Sequence, residues 1–214
     1  MEAIVIGGSG ATGRELVRLL LEDVRFTKVR VLVRKAYFEQ HDKLEEIIVD
    51  FDKLSSYHQV IKGEVAFSCL GTTLKDAGSK DAQWHIDYDY PLDFAQLAFN
   101  NGVSHFVLLS AIGADAKSSI FYNRMKGSLE EAIKKIGFKH LMILQPGFIE
   151  RPNSNRFGEK VGLKAITFFN SLGFFRHYAP IKTHQLAQAM IESVFSYGST
   201  VQVISLKEMR ALTK

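Results

Sequence analysis

The 214-residue sequence contains a single cysteine, Cys69, and only four prolines. One thiol excludes an intramolecular disulfide and a cysteine-rich zinc site, and it suits a reducing compartment. The seven histidines, at 41, 58, 85, 105, 140, 177 and 184, form no His-x-x-x-His pair, so no metal is expected. Long apolar runs are missing as well. Stretches such as Phe106 to Leu109 or Ile166 to Phe169 fall far short of the roughly 18 residues a membrane span requires. A dominant charge is also lacking: 27 basic and 23 acidic residues leave a net charge of +4, and the two signs are interleaved along the chain. That pattern argues against a nucleic-acid surface. Strand-like sequence from Glu2 leaves no room ahead of the fold for an export signal, and a cytoplasmic location is expected. Nothing in the pattern indicates a protein partner.

What is present is ordinary globular composition, 46% hydrophobic and 23% charged, at a length that fits one domain over residues 1–214. Apolar runs at Ala3 to Ile6, Val29 to Val33, Glu46 to Val49, Val65 to Ser68, Phe106 to Leu109 and Leu141 to Leu144 read as buried strands. Between them, Leu16 to Leu21, Phe94 to Ala98 and about Ile120 to Ile136 carry helical spacing, with stops at Gly102 and Gly137. Strands separated by helices require crossover connections, which predicts an α/β fold with a Rossmann-type, doubly wound, mostly parallel sheet. The pattern weakens after Gly147: a polar loop through Arg156, aromatics at Phe168, Phe169, Phe174 and Phe175, a helix around Gln185 to Phe195, and a last strand at Val201 to Ile204. Residues 147–214 are read as a small cap on the substrate side, with those aromatics packed inside it.

The first strand runs into Gly7-Gly8-Ser9-Gly10-Ala11-Thr12-Gly13. Gly8, Gly10 and Gly13 satisfy G-x-G-x-x-G, and Gly7, Gly10 and Gly13 satisfy the wider G-x-x-G-x-x-G spacing. Residues without Cβ permit a tight turn, close approach to a pyrophosphate and tight helix-strand packing, while helix amides near Ala11 and Thr12 face the anion. An NAD site places an acid at the end of the second strand, yet here Arg34-Lys35 follow. A guanidinium clasps a 2′-phosphate through paired hydrogen bonds, so NADP is favoured, with Ser9 as a further donor.

Tyr122 and Lys126 lie four apart on one helical face, and Ser110 ends the preceding strand. In a carbonyl reduction the tyrosine donates a proton, the ammonium lowers its pKa, and the serine hydroxyl holds the substrate oxygen. Cys69, in an apolar run without a basic neighbour, reads as a structural thiol.

Gly7 to Gly13, Cys69-Leu70-Gly71-Thr72-Thr73, Asp87-Tyr88-Asp89-Tyr90, Ser110 to Ala114 and Tyr122 to Lys126 together resemble the atypical short-chain dehydrogenases/reductases. Within them the sequence is similar to the Tat-interacting-protein oxidoreductases and their bacterial relatives, over nearly the whole chain. The resemblance implies an NADPH-binding fold, with Leu70, Gly71 and Thr72 along the cofactor and Lys126 also holding its ribose. It further implies Pro146, Gly147 and Phe148 beside the nicotinamide and Asp50-Phe51 at the adenine. Gln145 departs from the pattern, standing where many relatives have arginine. The expected function is reduction of a small carbonyl substrate; a non-catalytic NADPH sensor and an isomerase or epimerase with bound cofactor use the same residues.

Overall fold

The computed structural model of the protein describes residues 1–150, 180–196, 198 and 200–214. The chain begins β1 (Glu2–Ile6), α1 (Ala11–Glu22), β2 (Lys28–Val33) and β3 (Leu44–Ile48), then a 3-10 helix (Phe51–Val60) and β4 (Val65–Ser68). There follow α2 (Leu74–Ala77), α3 (Lys80–Trp84), a π turn (His85–Asp89), α4 (Tyr90–Asn100), β5 (His105–Leu109), α5 (Phe121–Lys134) and β6 (His140–Leu144). A short pair, β7 (Ile149–Glu150) and β8 (Ile181–Lys182), precedes α6 (Thr183–Ser196), β9 (Val201–Ile204) and α7 (Leu206–Leu212). The main sheet has the order β3-β2-β1-β4-β5-β6-β9, and every neighbouring pair in it is parallel. This is the Rossmann-type architecture expected from the alternation of strands and helices.

The continuous apolar runs are explained by burial on both faces. Ala3 and Val5 of β1 pack with Leu16, Val17 and Leu20 of α1 and with Leu186 and Met190 of α6. Ile4 and Ile6 point the other way, toward Phe94 and Ala98 of α4 and Leu129 and Ile133 of α5. A fully buried leucine such as Leu16 contributes about 1.5–3 kcal/mol of transfer free energy, which is what holds each helical layer to the sheet.

Three points differ from the sequence reading. β3 was expected to be buried, but it is the sheet edge: its residues are half-buried and Ile48 is exposed. One of its glutamates faces cations, Glu45 pairing with Lys28 at 2.7 Å and with Arg30 at 3.1 Å, while Glu46 accepts from the Tyr37 and Phe38 amides. The helical spacing at Phe94 to Ala98 belongs to α4, and the π turn joins that helix to a second one, α3. The 3-10 helix, the β7–β8 pair and α7 carry no strong periodicity and were not anticipated. The loop at Arg156 and the aromatics Phe168, Phe169, Phe174 and Phe175 lie outside the described residues.

The π turn is tied to the 3-10 helix by His85, whose Nδ1 and Nε2 lie 2.8 Å from Asp89 Oδ2 and Asp52 Oδ1. Hydrogen bonds to Asp89 and Asp52 raise its pKa above the ordinary 6.5. The folded state therefore binds the proton more tightly than the unfolded chain. That stability is fully present below 6.5 and is lost as pH rises through the folded value. Urea midpoints measured across neutral pH should fall slightly with rising pH in the wild type, and this fall should be absent in His85→Ala.

Candidate nucleotide and active site

The strand order reverses between β1 and β4, so their carboxyl ends open a crevice. On one side lies the glycine turn. Gly7 has φ +74°, and a Cβ there would meet the Cys69 carbonyl carbon at 2.5 Å, so the loop after β1 touches the loop after β4. A Cβ on Gly13 would lie 2.1 Å from the Gly7 oxygen, and one on Gly8 2.5 Å from Val31 Cγ1. Helix α1 begins with Gly10 as its cap, without a side-chain cap and without an acid in its first turn. Its leading amides therefore have no partner in the helix, and the local field favours an anion.

A cavity of about 200 Å³ runs from these amides to the opposite wall. Gly10, Ala11, Thr12, Leu70, Gly71 and Thr72 line one part, and Ser110, Tyr122, Lys126 and Ile149 another. The loop after β5 reaches this position because Ser110 N donates to Leu144 O at 2.8 Å and Ile112 N to Pro146 O at 2.8 Å. Gly127 also matters: a Cβ there would stand 2.3 Å from Ala116 N, so only glycine lets that loop press on α5 beside Lys126.

Tyr122 is partly exposed, and its ring centroid lies 5.9 Å from Lys126 Nζ. The Lys126 side chain is only 3% exposed, with its ammonium 3.6 Å from Oδ2 of Asp87, whose side chain is 0% exposed. Asp87 Oδ1 accepts from Thr72 N at 2.7 Å, so the carboxylate joins the π turn, the loop after β4 and α5. Burial raises the Asp87 pKa, opposed by Lys126 and the Thr72 amide. Ser110 Oγ donates to Glu130 Oε1, and Gln145 Nε2 donates to both Glu130 oxygens at 2.9 and 3.0 Å.

Arg34 is exposed and shares a second recess, of about 530 Å³, with Ser9, Lys35 and Tyr37. Asp50 caps the 3-10 helix by accepting from Asp52 N at 3.1 Å, and the Phe51 ring is buried 5.4 Å from Tyr90. Neither is among the residues lining these two cavities. Pro146 is buried, Gly147 has open space around it, and Phe148 is exposed while its carbonyl accepts from Ile181 N at 2.9 Å. Cys69 Sγ lies 3.9 Å from Met190 Sδ, and burial pushes the thiol up to about 12, which keeps it protonated. Asp87 and Glu130 were given no role from the sequence. Glu130 had a usable signal, since it continues the four-residue spacing of Tyr122 and Lys126 on a helix whose neighbours Leu129 and Ile133 are core residues.

The sequence matches a family described as NAD(P)H-binding over residues 7–195. The chain belongs to this family. HTATIP2 of Rattus norvegicus is 37% identical over 204 residues, covering 91% of this chain and 81% of that protein. A protein named "FMP52, mitochondrial" from Saccharomyces cerevisiae is 37% identical over 165 residues, 74% of this chain and 71% of its own. Among solved structures, MoeE5 in complex with UDP-glucose and NAD superposes with a TM-score of 0.74 at 13% identity, covering 100% of this chain and 81% of that one. These comparisons place the chain among the atypical short-chain dehydrogenase-like proteins that include HTATIP2, with the fold of NAD(P)-dependent oxidoreductases. They also correct one expectation. Several fungal relatives are named mitochondrial, which overturns a purely cytoplasmic placement; a lone thiol reports a reducing environment and not a particular compartment.

The residues fit a dinucleotide. The glycine cradle is one that any Cβ at Gly7 or Gly13 would fill, and the unpartnered amides of α1 face the same cavity as Gly71 and Thr72.

Proposed function

We propose that this protein is an NADPH-dependent reductase of a carbonyl compound, with Tyr122 as the general acid. The observation that carries the reading is the single cavity that holds both the amide end of α1 and the trio Ser110, Tyr122 and Lys126. Bound there, a reduced nicotinamide supplies the hydride. Tyr122 delivers a proton to the carbonyl oxygen as charge develops on it. The Lys126 ammonium stands 5.9 Å from the Tyr122 ring centroid, and Ser110 offers the oxygen a hydrogen bond. The body of the substrate is assigned to a separate cavity of about 570 Å³, lined by Ile112, which follows Ser110 on the same loop, and by Gln145, Leu206 and Ala211 together with Lys207, Arg210 and Lys214. Apolar walls with basic side chains favour a carbonyl compound that carries an apolar portion and an acidic group.

The preference for NADPH rests on Arg34, with Ser9 and Lys35 in the same recess. Calorimetric titration is expected to show tighter binding of NADPH than of NADH. In Arg34→Ala the loss of charge-assisted hydrogen bonds, about 1.5–3 kcal/mol, should weaken NADPH by roughly 10- to 100-fold and leave NADH unchanged. An equal loss for both nucleotides would remove the 2′-phosphate assignment. No binding of either would remove the redox reading altogether.

A further inference from the structure

Gln145 stands one residue beyond β6, and its backbone amide donates to Ile204 O of β9 at 3.0 Å, which keeps the chain in the path of the strand. Side chains alternate along a strand, so Gln145 continues the face of Leu141 and Ile143, the face that packs with Leu129 and Ile133 of α5. There its Nε2 meets Glu130, which is 4% exposed, and donates to both carboxyl oxygens at 2.9 and 3.0 Å.

This contact sets the direction of the Gln145 amide. Turned over, the amide would lose both hydrogen bonds and set its own oxygen against the two oxygens of Glu130. Glu130 is itself held, since Ser110 Oγ donates to its Oε1. The Gln145 Oε1 accepts no hydrogen bond among the described residues. Nor is it a buried orphan: the buried side-chain atoms without a partner are Ser68 Oγ, Asp87 Oδ2 and His140 Nδ1. The oxygen is therefore open to the cavity that Gln145 lines.

The other groups around that cavity do not complement an acceptor already fixed in place. Ile112, Leu206 and Ala211 are apolar, and the Ser205 hydroxyl donates to Glu208 Oε2 at 2.6 Å. Lys207 and Lys214 favour an anion, but no anion donates to an amide oxygen. A ligand that displaces water from the cavity either brings a donor to Gln145 or leaves its oxygen dry and unpaired, which costs binding.

On the reading of this cavity as the place of the substrate body, we infer that Gln145 is a specificity-determining residue whose amide oxygen accepts a hydrogen bond from a hydroxyl or N–H group of the substrate. The substrate class is then an oxo acid that carries such a donor. Glu130 holds both Gln145 and Ser110, so the donor lies toward the carbonyl end of the molecule and the acidic group toward Lys207 and Lys214.

The probes that test this are trios of oxo acids, identical except at one carbon that bears a hydroxyl, a methoxy group or hydrogen, with that carbon moved stepwise away from the carbonyl. At the matching position the wild type should reduce the hydroxyl member with a kcat/KM about tenfold above the other two, the worth of one hydrogen bond, and the difference should lie in KM. Calorimetric titration of the same compounds should give the same order of affinity without turnover. Gln145→Arg keeps donors toward Glu130 but has no acceptor, and Gln145→Met has neither; in both, the preference for the hydroxyl member should vanish. The ratio within a trio is read on one preparation, so a loss of folded protein cancels.

If Gln145 served only to hold Glu130, its variants would lower all three members by a common factor and keep the preference, and that result overturns the proposal. Reduction or binding by the wild type with no preference at any position also overturns it and leaves the reductase reading standing. Binding that favours the hydroxyl member through Gln145, in a protein that reduces none of the compounds, supports the role of Gln145 and overturns the reductase reading instead. Failure of every trio to bind or react overturns the assignment of the cavity and the proposal with it.

Discussion

Replacing Tyr122 with phenylalanine should lower kcat/KM for carbonyl reduction by about 10²- to 10⁴-fold, the usual contribution of a positioned acid. NADPH affinity should change by no more than the worth of one hydrogen bond, about 0.5–1.5 kcal/mol. The two effects separate because the substitution removes only an oxygen. The ring stays beside the Lys126 ammonium, which lies 5.9 Å from its centroid, and the side chain is 39% exposed, so no core cavity opens. Unfolding free energy should accordingly stay within about 0.5 kcal/mol of wild type. Steady-state rates against a carbonyl panel, with calorimetry on the same preparations, decide the matter. Equal rates in the two proteins would remove Tyr122 as the acid. Nucleotide oxidation absent from both, with binding intact, would leave a protein that holds NADPH without turning it over.

The parts of the fold that could be read from the sequence are those where local pattern and long-range environment agree. β1, β4, β5 and β6 carry unbroken apolar runs, at Ala3 to Ile6, Val65 to Phe67, Phe106 to Leu109 and Leu141 to Leu144, because both faces are covered, and these runs stand out in the sequence for that reason. β3 broke the rule. Its run, Glu46-Ile47-Ile48-Val49, has the β-branched content of a central strand, yet β3 takes the sheet edge, where a neighbour is present on one side only. Which strand ends at an edge depends on the order of pairing, and periodicity does not encode order. The 3-10 helix and α7 were missed for a different reason. Ten and seven residues give too few turns for a helical stripe to declare itself.

The site divides in the same way. The glycine turn and the Tyr122–Lys126 pair are local patterns, each fixed within one element, and spacing alone brought them forward. Asp87, Gln83 and Thr72 form a unit only through folding: Gln83 Nε2 donates to Thr72 O at 3.1 Å while Asp87 takes the Thr72 amide. The π turn that turns Asp87 into the interior inserts extra backbone between α3 and α4, and such an insertion leaves no compositional trace. Glu130 meets Ser110 across 20 residues and Gln145 across 15, so its partners were hidden even though its helical face was not.

Loss of the Asp87 carboxylate is the second large effect expected. Asp87→Ala leaves the Lys126 ammonium without its counter-charge at a position where the side chain is 3% exposed. Breaking a buried pair by deleting one member costs about 3–5 kcal/mol, because the remaining charge is neither solvated nor paired. The Thr72 amide also loses its acceptor. Asp87→Asn retains an oxygen for that amide and should recover only the hydrogen bond, roughly 1 kcal/mol, since an amide does not compensate the ammonium. Urea unfolding of the three proteins gives the comparison directly. The order wild type, Asn, Ala, with Asn nearer to Ala, identifies Asp87 as the charged support of Lys126. An asparagine variant as stable as wild type would mean that Asp87 serves the interior as a neutral hydrogen-bonding group, consistent with the upward push that burial gives its pKa.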